Sequence, residues 1–296
     1  LVCHKPVIAD PRFGCDAATL SVARTPIGPL SFTLSGDFRT DVSIGQGRAT
    51  LAKLAGGRLE VEGRASPQRW QLRGDARDLQ VAELRSLLAP WYSLPEGWTL
   101  AGRAGAKFSA RGGATPVHAE VTLALANLNL SNEPSTLIAE ETAATLELAL
   151  DAREGGYDLD ATARGERGQA LAGPVLLDFN SNPFTLRTRG SWRGDTVDLA
   201  QIEATAPQLL ALHGTTPELA LGRLVIEALE FPAAYTSLMQ ITLAATDFGD
   251  LVTAGRASGT ARFAHNALER IDLQLEHFST YNEREFFMKD VAGELH

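Results

Sequence analysis

Hydrophobic and polar residues alternate along most of this chain. From Leu100 to Ala110 the even positions are Leu100, Gly102, Ala104, Ala106, Phe108 and Ala110, while the odd ones include Arg103, Lys107 and Ser109. A period of two predicts a β-strand with one small-or-apolar face and one charged face. The alternation returns in Val121, Leu123 and Leu125, in Leu146 and Leu148, over Tyr157–Ala163, at Phe184 and Leu186, and in Ile271, Leu273 and Leu275. Their outward partners include Glu120, Thr122, Glu147, Asp158, Asp160, Arg187, Asp272 and Glu276. Gly112-Gly113, Gly155-Gly156 and Asn180 to Pro183 fall between these runs and read as turns. Helical spacing is best over Asp78 to Ala89. There Asp78 is a candidate N-cap, Leu79, Val81, Leu84, Leu87 and Leu88 roughly line one side, and Pro90 ends the run.

The pattern is written twice. Leu79, Val81 and Leu88 are echoed 150 positions on by Leu229, Phe231 and Leu238. Ala101-Gly-Arg-Ala104 recurs at Ala254-Gly-Arg-Ala257, and Val121, Leu123, Leu125 and Leu128 return as Ile271, Leu273, Leu275 and Phe278. Thr145 to Leu148 is matched by Ala292 to Leu295. Collinear matches at nearly one offset predict two repeats, 1–150 and 151–296, each several antiparallel strands with one short helical crossover.

Composition narrows the function classes. The chain has 296 residues, 44% of them hydrophobic and 21% charged, which suits a folded domain with a substantial core. Its net charge of −9 argues against nucleic acid, whose phosphates need clustered cations. The cations are 23 Arg against 4 Lys, a bias that source-genome composition explains better than phosphate binding. No apolar run reaches the roughly 18 residues of a spanning helix. The chain opens at Leu1, without Met or a signal segment, and stops directly after Val291–Leu295, so it reads as part of a larger protein. The only cysteines, Cys3 and Cys15, suit a disulfide in an oxidising compartment; free thiols or a metal site are the alternatives.

Enzyme signatures are missing: no Gly-x-Ser-x-Gly elbow, Walker loop, His-Glu-x-x-His or complete Gly-x-Gly-x-x-Gly occurs. Asp158 and Asp160 share a strand face, and Trp70, Trp91, Trp98 and Trp192 suit sugar stacking. Solvated carboxylates and strand-end plugs are the plainer readings. The expectation is a non-enzyme without cofactor or metal.

Alternating strands, a short helix, and the strand openings Leu100-Ala-Gly-Arg103 and Thr253-Ala-Gly-Arg256 resemble the AsmA-like superfamily of Gram-negative envelopes, which includes the TamB, YhdP and YdbH types. The closing stretch from Ile271 to Leu295 looks closest to the YdbH type. That resemblance implies a mainly β fold, a long curved antiparallel sheet forming an open, repeating β-groove with short helices at the crossovers, 78–92 and 229–239. It further implies a periplasmic location, inner-membrane anchoring through a segment outside this chain, an outer-membrane partner protein, and phospholipid acyl chains as cargo. No catalytic residue carries over.

Physics points the same way, because a sheet with one apolar face must cover it. Small inward residues such as Ala104, Ala106 and Ala161 leave room that a tight core would fill. Shared strand parity puts Leu100, Phe108, Val121, Leu123, Leu125, Leu146, Leu148, Phe263, Ile271, Leu273 and Leu275 on one apolar lining, the expected lipid-binding residues. The competing reading is a closed β-sandwich acting as a structural or interaction protein in envelope assembly.

Overall fold

A computed structural model describes residues 2–23, 30–88, 97–113, 117–133, 137–172, 175–194, 196–207, 210–216, 223–231, 252–264, 267–281 and 286–295. The protein is mainly β, as the alternation predicts: nineteen strands and one helix among those residues, in open antiparallel sheet that does not close into a barrel. Two compact units divide it, residues 1–133 with 149–152, and residues 134–148 with 153–296.

The first unit is a meander. Short strands β1 (Val2–Cys3) and β2 (Pro6–Ala9) both pair with β3 (Arg12–Val22). There follow β4 (Leu30–Arg39), β5 (Ile44–Leu54), β6 (Gly57–Ala65), β7 (Arg69–Gln80), the helix α1 (Val81–Leu88), β8 (Thr99–Gly113) and β9 (His118–Ser131), each strand antiparallel to the one before. The second unit holds most of β10 (Leu137–Arg153), then β11 (Gly156–Ala172), β12 (Val175–Asp178), β13 (Phe184–Arg193), β14 (Thr196–Ala206), β15 (Leu210–Thr216), β16 (Arg223–Phe231), β17 (Val252–Ala264), β18 (Ala267–Tyr281) and β19 (Phe286–Leu295). Here β11 pairs with both β12 and β13, and from β13 onward each strand again pairs with the next. Apart from the short strands β1 and β12, neighbours in sequence are neighbours in the sheet within each unit. The ladders within each unit leave no second sheet to complete a sandwich among the described residues.

Register explains how one face stays apolar. Directly opposed residues share a face, and in the first unit one line runs Leu20–Phe32–Leu51–Leu59–Ala76–Ala106–Leu123. The next runs Ala18–Leu34–Ala49–Val61–Gly74–Phe108–Val121. The second unit repeats the design with Ala163–Leu186–Ala204–Leu212–Leu229–Ala257–Leu275–Gly293. No charged residue interrupts these lines. Each unit keeps one buried cluster on this face. The first gathers Ala55, Ala76, Leu79 and Ala104, and the second Ile226, Ala257, Ala261 and Leu273.

The two clusters are built alike. Leu79 opposes Ala104 and Ala104 opposes Leu125; 150 or 153 positions later, Leu229 opposes Ala257 and Ala257 opposes Leu275. The irregularities repeat too. The β7–β8 ladder slips between Ala76 and Leu79, and β16–β17 between Ile226 and Leu229. The β8–β9 ladder slips after Ala101, and β17–β18 after Ala254. At the second pair of slips Asn127 and His277 both take φ 50°, against Gly102 at φ 129° and Gly255 at φ 120°. An inserted residue in the left-handed conformation is how a bulge bends and twists a strand. Agreement ends at Val81, which opens the helix whereas Phe231 still pairs with Gly255; Leu238 lies outside the described residues.

A β-carbon at Gly102 would sit 2.7 Å from the Asn127 carbonyl oxygen, and one at Gly255 2.6 Å from the Phe278 Cα. Gly102→Ala and Gly255→Ala are each expected to cost about 1–3 kcal/mol, from backbone strain plus the clash. Urea melts should show the two losses to be similar. A neutral effect at either position would mean that its bulge does not constrain the fold.

The helix is shorter than its sequence pattern. Asp78 is no N-cap: it lies inside β7 at φ 55°, and the helix begins at Val81. The bulge that aligns Leu79 with Ala104 uses Asp78 as its extra residue, packed against Gly57. Val81 and Leu84 then lie on the first cluster, and Arg85 Nη1 donates to the Trp98 carbonyl oxygen at 2.7 Å. The helix therefore caps one end of the apolar face. At the start of the chain Cys3 and Cys15 are joined, with their Cα atoms 6.0 Å apart.

Candidate functional site: the apolar sheet face

Ten of the eleven expected lining residues have described side chains; Phe263 lies in β17 with a side chain outside the description. In the first unit Phe108 opposes Val121, and Leu123 and Leu125 oppose Ala106 and Ala104. The Phe108 ring covers Gly74, so an aromatic fills the gap left by a missing side chain. Leu100 opposes Leu130 beyond the bulge. Because the extra residue sits on β9, the apolar positions there step from Leu125 to Leu128, and Leu100 keeps its face.

In the second unit Leu273 is buried, and Ile271 and Leu275 pack against the same cluster. Leu146 and Leu148 alternate with Thr145 and Glu147, which reach Glu166 and Arg164 on the polar face, so both leucines lie on the opposite side. Parity places the expected residues of each unit on a common face.

Their exposure is graded. Leu51 is 4% exposed, Val121 37% and Leu146 40%, though all three occupy the apolar side. Some of this face packs on itself and under α1, and the remainder meets solvent. Phe38 and Trp70, 44% and 39% exposed, extend the exposed part toward one end of the strands. Residues of β3 to β7 in these lines, Leu34, Leu51, Leu59 and Val61 among them, were missed by the sequence reading. The signal was present in Leu30-x-Phe32-x-Leu34 and Leu59-x-Val61.

The other face is a lattice of charges. One register line is Arg48–Glu62–Arg73–Ser109–Glu120 and the next Glu60–Asp75–Lys107–Thr122. Arg48 pairs with Glu62, Arg58 with Glu60, and Arg77 with Asp75; in the second unit Arg189 meets Asp160 at 2.8 Å and Arg256 meets Glu230 at 2.9 Å. Exposed pairs of this sort contribute little individually. They keep the face solvated and fix its sidedness. Shallow depressions of about 400 and 460 Å³ lie on this side of the first unit, between the long charged side chains. On the charged face of the second unit Asp158 is bonded to Arg153 and Asp160 to Arg189.

His118, at the start of β9, sits between two carboxylates: Nδ1 is 2.7 Å from Asp151 and Nε2 3.1 Å from Glu120. The Asp151 hydrogen bond, then that of Glu120, raises the His118 pKa above 6.5, against the opposing effects of desolvation and, less, of Arg111. Glu120 is correspondingly lowered, mainly by His118. The protonated clamp thus stabilises the fold below about pH 6.5, and that contribution is lost as pH rises through the elevated value. Asp151→Asn is expected to return the His118 titration toward 6.5, read from its ring proton shifts; an unchanged titration would remove Asp151 as the cause.

Among the described residues no helix is long and apolar enough to cross a membrane, and no cluster of three or more His, Cys, Asp or Glu is placed to hold a metal ion. No protein-family profile, no curated protein and no solved structure matches this chain.

Proposed function

We propose that this chain is the periplasmic part of an inner-membrane-anchored lipid-transfer protein, in which phospholipid acyl chains travel along the apolar sheet face toward an outer-membrane partner. The observation that carries the reading is the uninterrupted apolar register lines in both units, with Val121 and Leu146 left open to a ligand. A tail covering ~300 Å² there would gain ~7 kcal/mol before ordering costs, which suits reversible occupancy. The resemblance to AsmA-like proteins supports the same reading, and the joined cysteines suit an oxidising compartment. Enzymatic chemistry plays no part in it. The structural or interaction reading loses support from the open sheet, because it required a closed sandwich.

The test uses a photoactivatable phenylalanine at Val121 and, in a second variant, at Thr122. These are chain neighbours, yet alternation puts them on opposite faces. Cells expressing each variant are irradiated, and adducts are identified by mass spectrometry. A phospholipid adduct at position 121 and none at 122 is the expected result. Adducts at neither position, or equally at both, would overturn the proposal.

A further inference from the structure

Ten arginines among the described residues pair with carboxylates. Arg64, Arg69 and Arg111 have no carboxylate at ion-pair distance among those residues, although the chain carries a net charge of −9. They converge. Arg64 and Arg111 flank Gln71 on the neighbouring strands β6 and β8, roughly 10 Å apart by the spacing of strands, and Arg69 precedes Gln71 by one alternation on the same face. Together with Ser66 and Trp70 they line a depression of about 610 Å³ at the ends of β6, β7 and β8.

The surroundings fix the turn at Arg69 and leave all three guanidinium groups without a carboxylate at ion-pair distance among the described residues. Ser66 Oγ donates to the Arg69 carbonyl oxygen at 3.1 Å and accepts from the Arg69 backbone N–H at 3.2 Å, which fixes the turn carrying that arginine. With its amide turned so that oxygen faces the guanidinium, Gln71 accepts from Nε and Nη2 of Arg73 at 2.9 Å, leaving its NH2 group as a donor. Glu120, whose charge reaches Arg111, is already bound by His118 and Ser109. Three unpaired cations brought together repel one another until an anion separates them. Guanidinium forks match phosphate oxygens better than a point charge does. On the apolar side of the same strand ends, Trp70, 39% exposed, lies over Gly112.

We infer that the ends of β6, β7 and β8 form a binding site for a phosphoryl anion, held by Arg64, Arg69 and Arg111. The anion is either a lipid phosphate, whose tail would pass Trp70 onto the apolar face, or a free phosphate. Phosphate binding stands by itself; only its attribution to a lipid rests on the function proposed above.

Phosphorus NMR titrations of the whole chain test this with two probes, inorganic phosphate and dihexanoyl phosphatidic acid below its micelle concentration. The R64Q/R69Q/R111Q variant is compared with R48Q/R58Q/R77Q, which removes the same charge from paired positions. All six arginines project from exposed strand faces, and circular dichroism verifies the fold. The first variant is expected to weaken binding of both probes at least tenfold and the second less than twofold. R64K/R69K/R111K should fall between, because charge remains and the fork is lost. Tenfold tighter binding of the lipid than of phosphate assigns a headgroup site, and equal affinity assigns a free-phosphate site. Equal losses in the two glutamine variants, or no binding of either probe, overturn the inference. Failure of cross-linking at position 121 with phosphate binding intact would remove the lipid function and leave this site.

Discussion

Val121→Asp is expected to abolish capture of acyl chains while the sheet stays folded. Val121 is 37% exposed, opposes Phe108, and lies outside the buried cluster, so a carboxylate there can reach water when no ligand is bound. A bound tail would have to strip water from that charge, and an unpaired buried carboxylate costs more than the several kcal/mol one tail can gain. Binding of a fluorescent fatty-acyl probe should fall by more than tenfold, with the circular dichroism spectrum unchanged. Thr122→Asp, one residue along and on the polar face, should leave binding intact. A loss of binding shared by both variants would mean that charge in general, and not the apolar lining, is being read. Leu123→Asp is a poorer probe, because Leu123 packs against the Ala55, Ala76, Leu79 and Ala104 cluster, and its loss would confound binding with stability.

Ala257→Asp is expected to unfold the second unit's sheet. Ala257 is 0% exposed, opposes Leu229 on one side and Leu275 on the other, and belongs to the cluster of Ile226, Ala261 and Leu273. A carboxylate there has neither water nor a cation, and the loss should be about 4 kcal/mol or more. Ala104→Asp places the same charge at the equivalent position of the first unit, 3% exposed, and should act on that unit as strongly. Arg256→Gln, the adjacent residue on the charged face, should leave the urea midpoint within error. A mild effect of Ala257→Asp would show that the apolar face there is wet, and would move the packed part of that unit elsewhere.

The mainly β class, strands β8 to β11, β13 and β18, and the apolar parity of Leu123, Leu125, Leu273 and Leu275 were legible because alternation is local: each strand writes its own two faces regardless of its partners. The recurring register partners, Leu79 with Ala104 and Leu229 with Ala257, were legible for the same reason, since they lie in runs that match one another in sequence. The step of three from Leu125 to Leu128, repeated from Leu275 to Phe278, already encoded the bulges. It can be read in that way only once the pairing with Gly102 and Gly255 is known, because a slip belongs to two strands and not to one. Asp78 shows the same limit: its sequence context suits a helix cap, and the need to bring Leu79 opposite Ala104 made it the inserted residue of a strand. Thus the sequence by itself determined which residues are apolar and on which side of each strand they stand. Tertiary structure alone decided which of them pack against one another, as Leu51 does and Val121 does not, and which arginines go without a carboxylate, because both depend on the side chains that pairing sets opposite them.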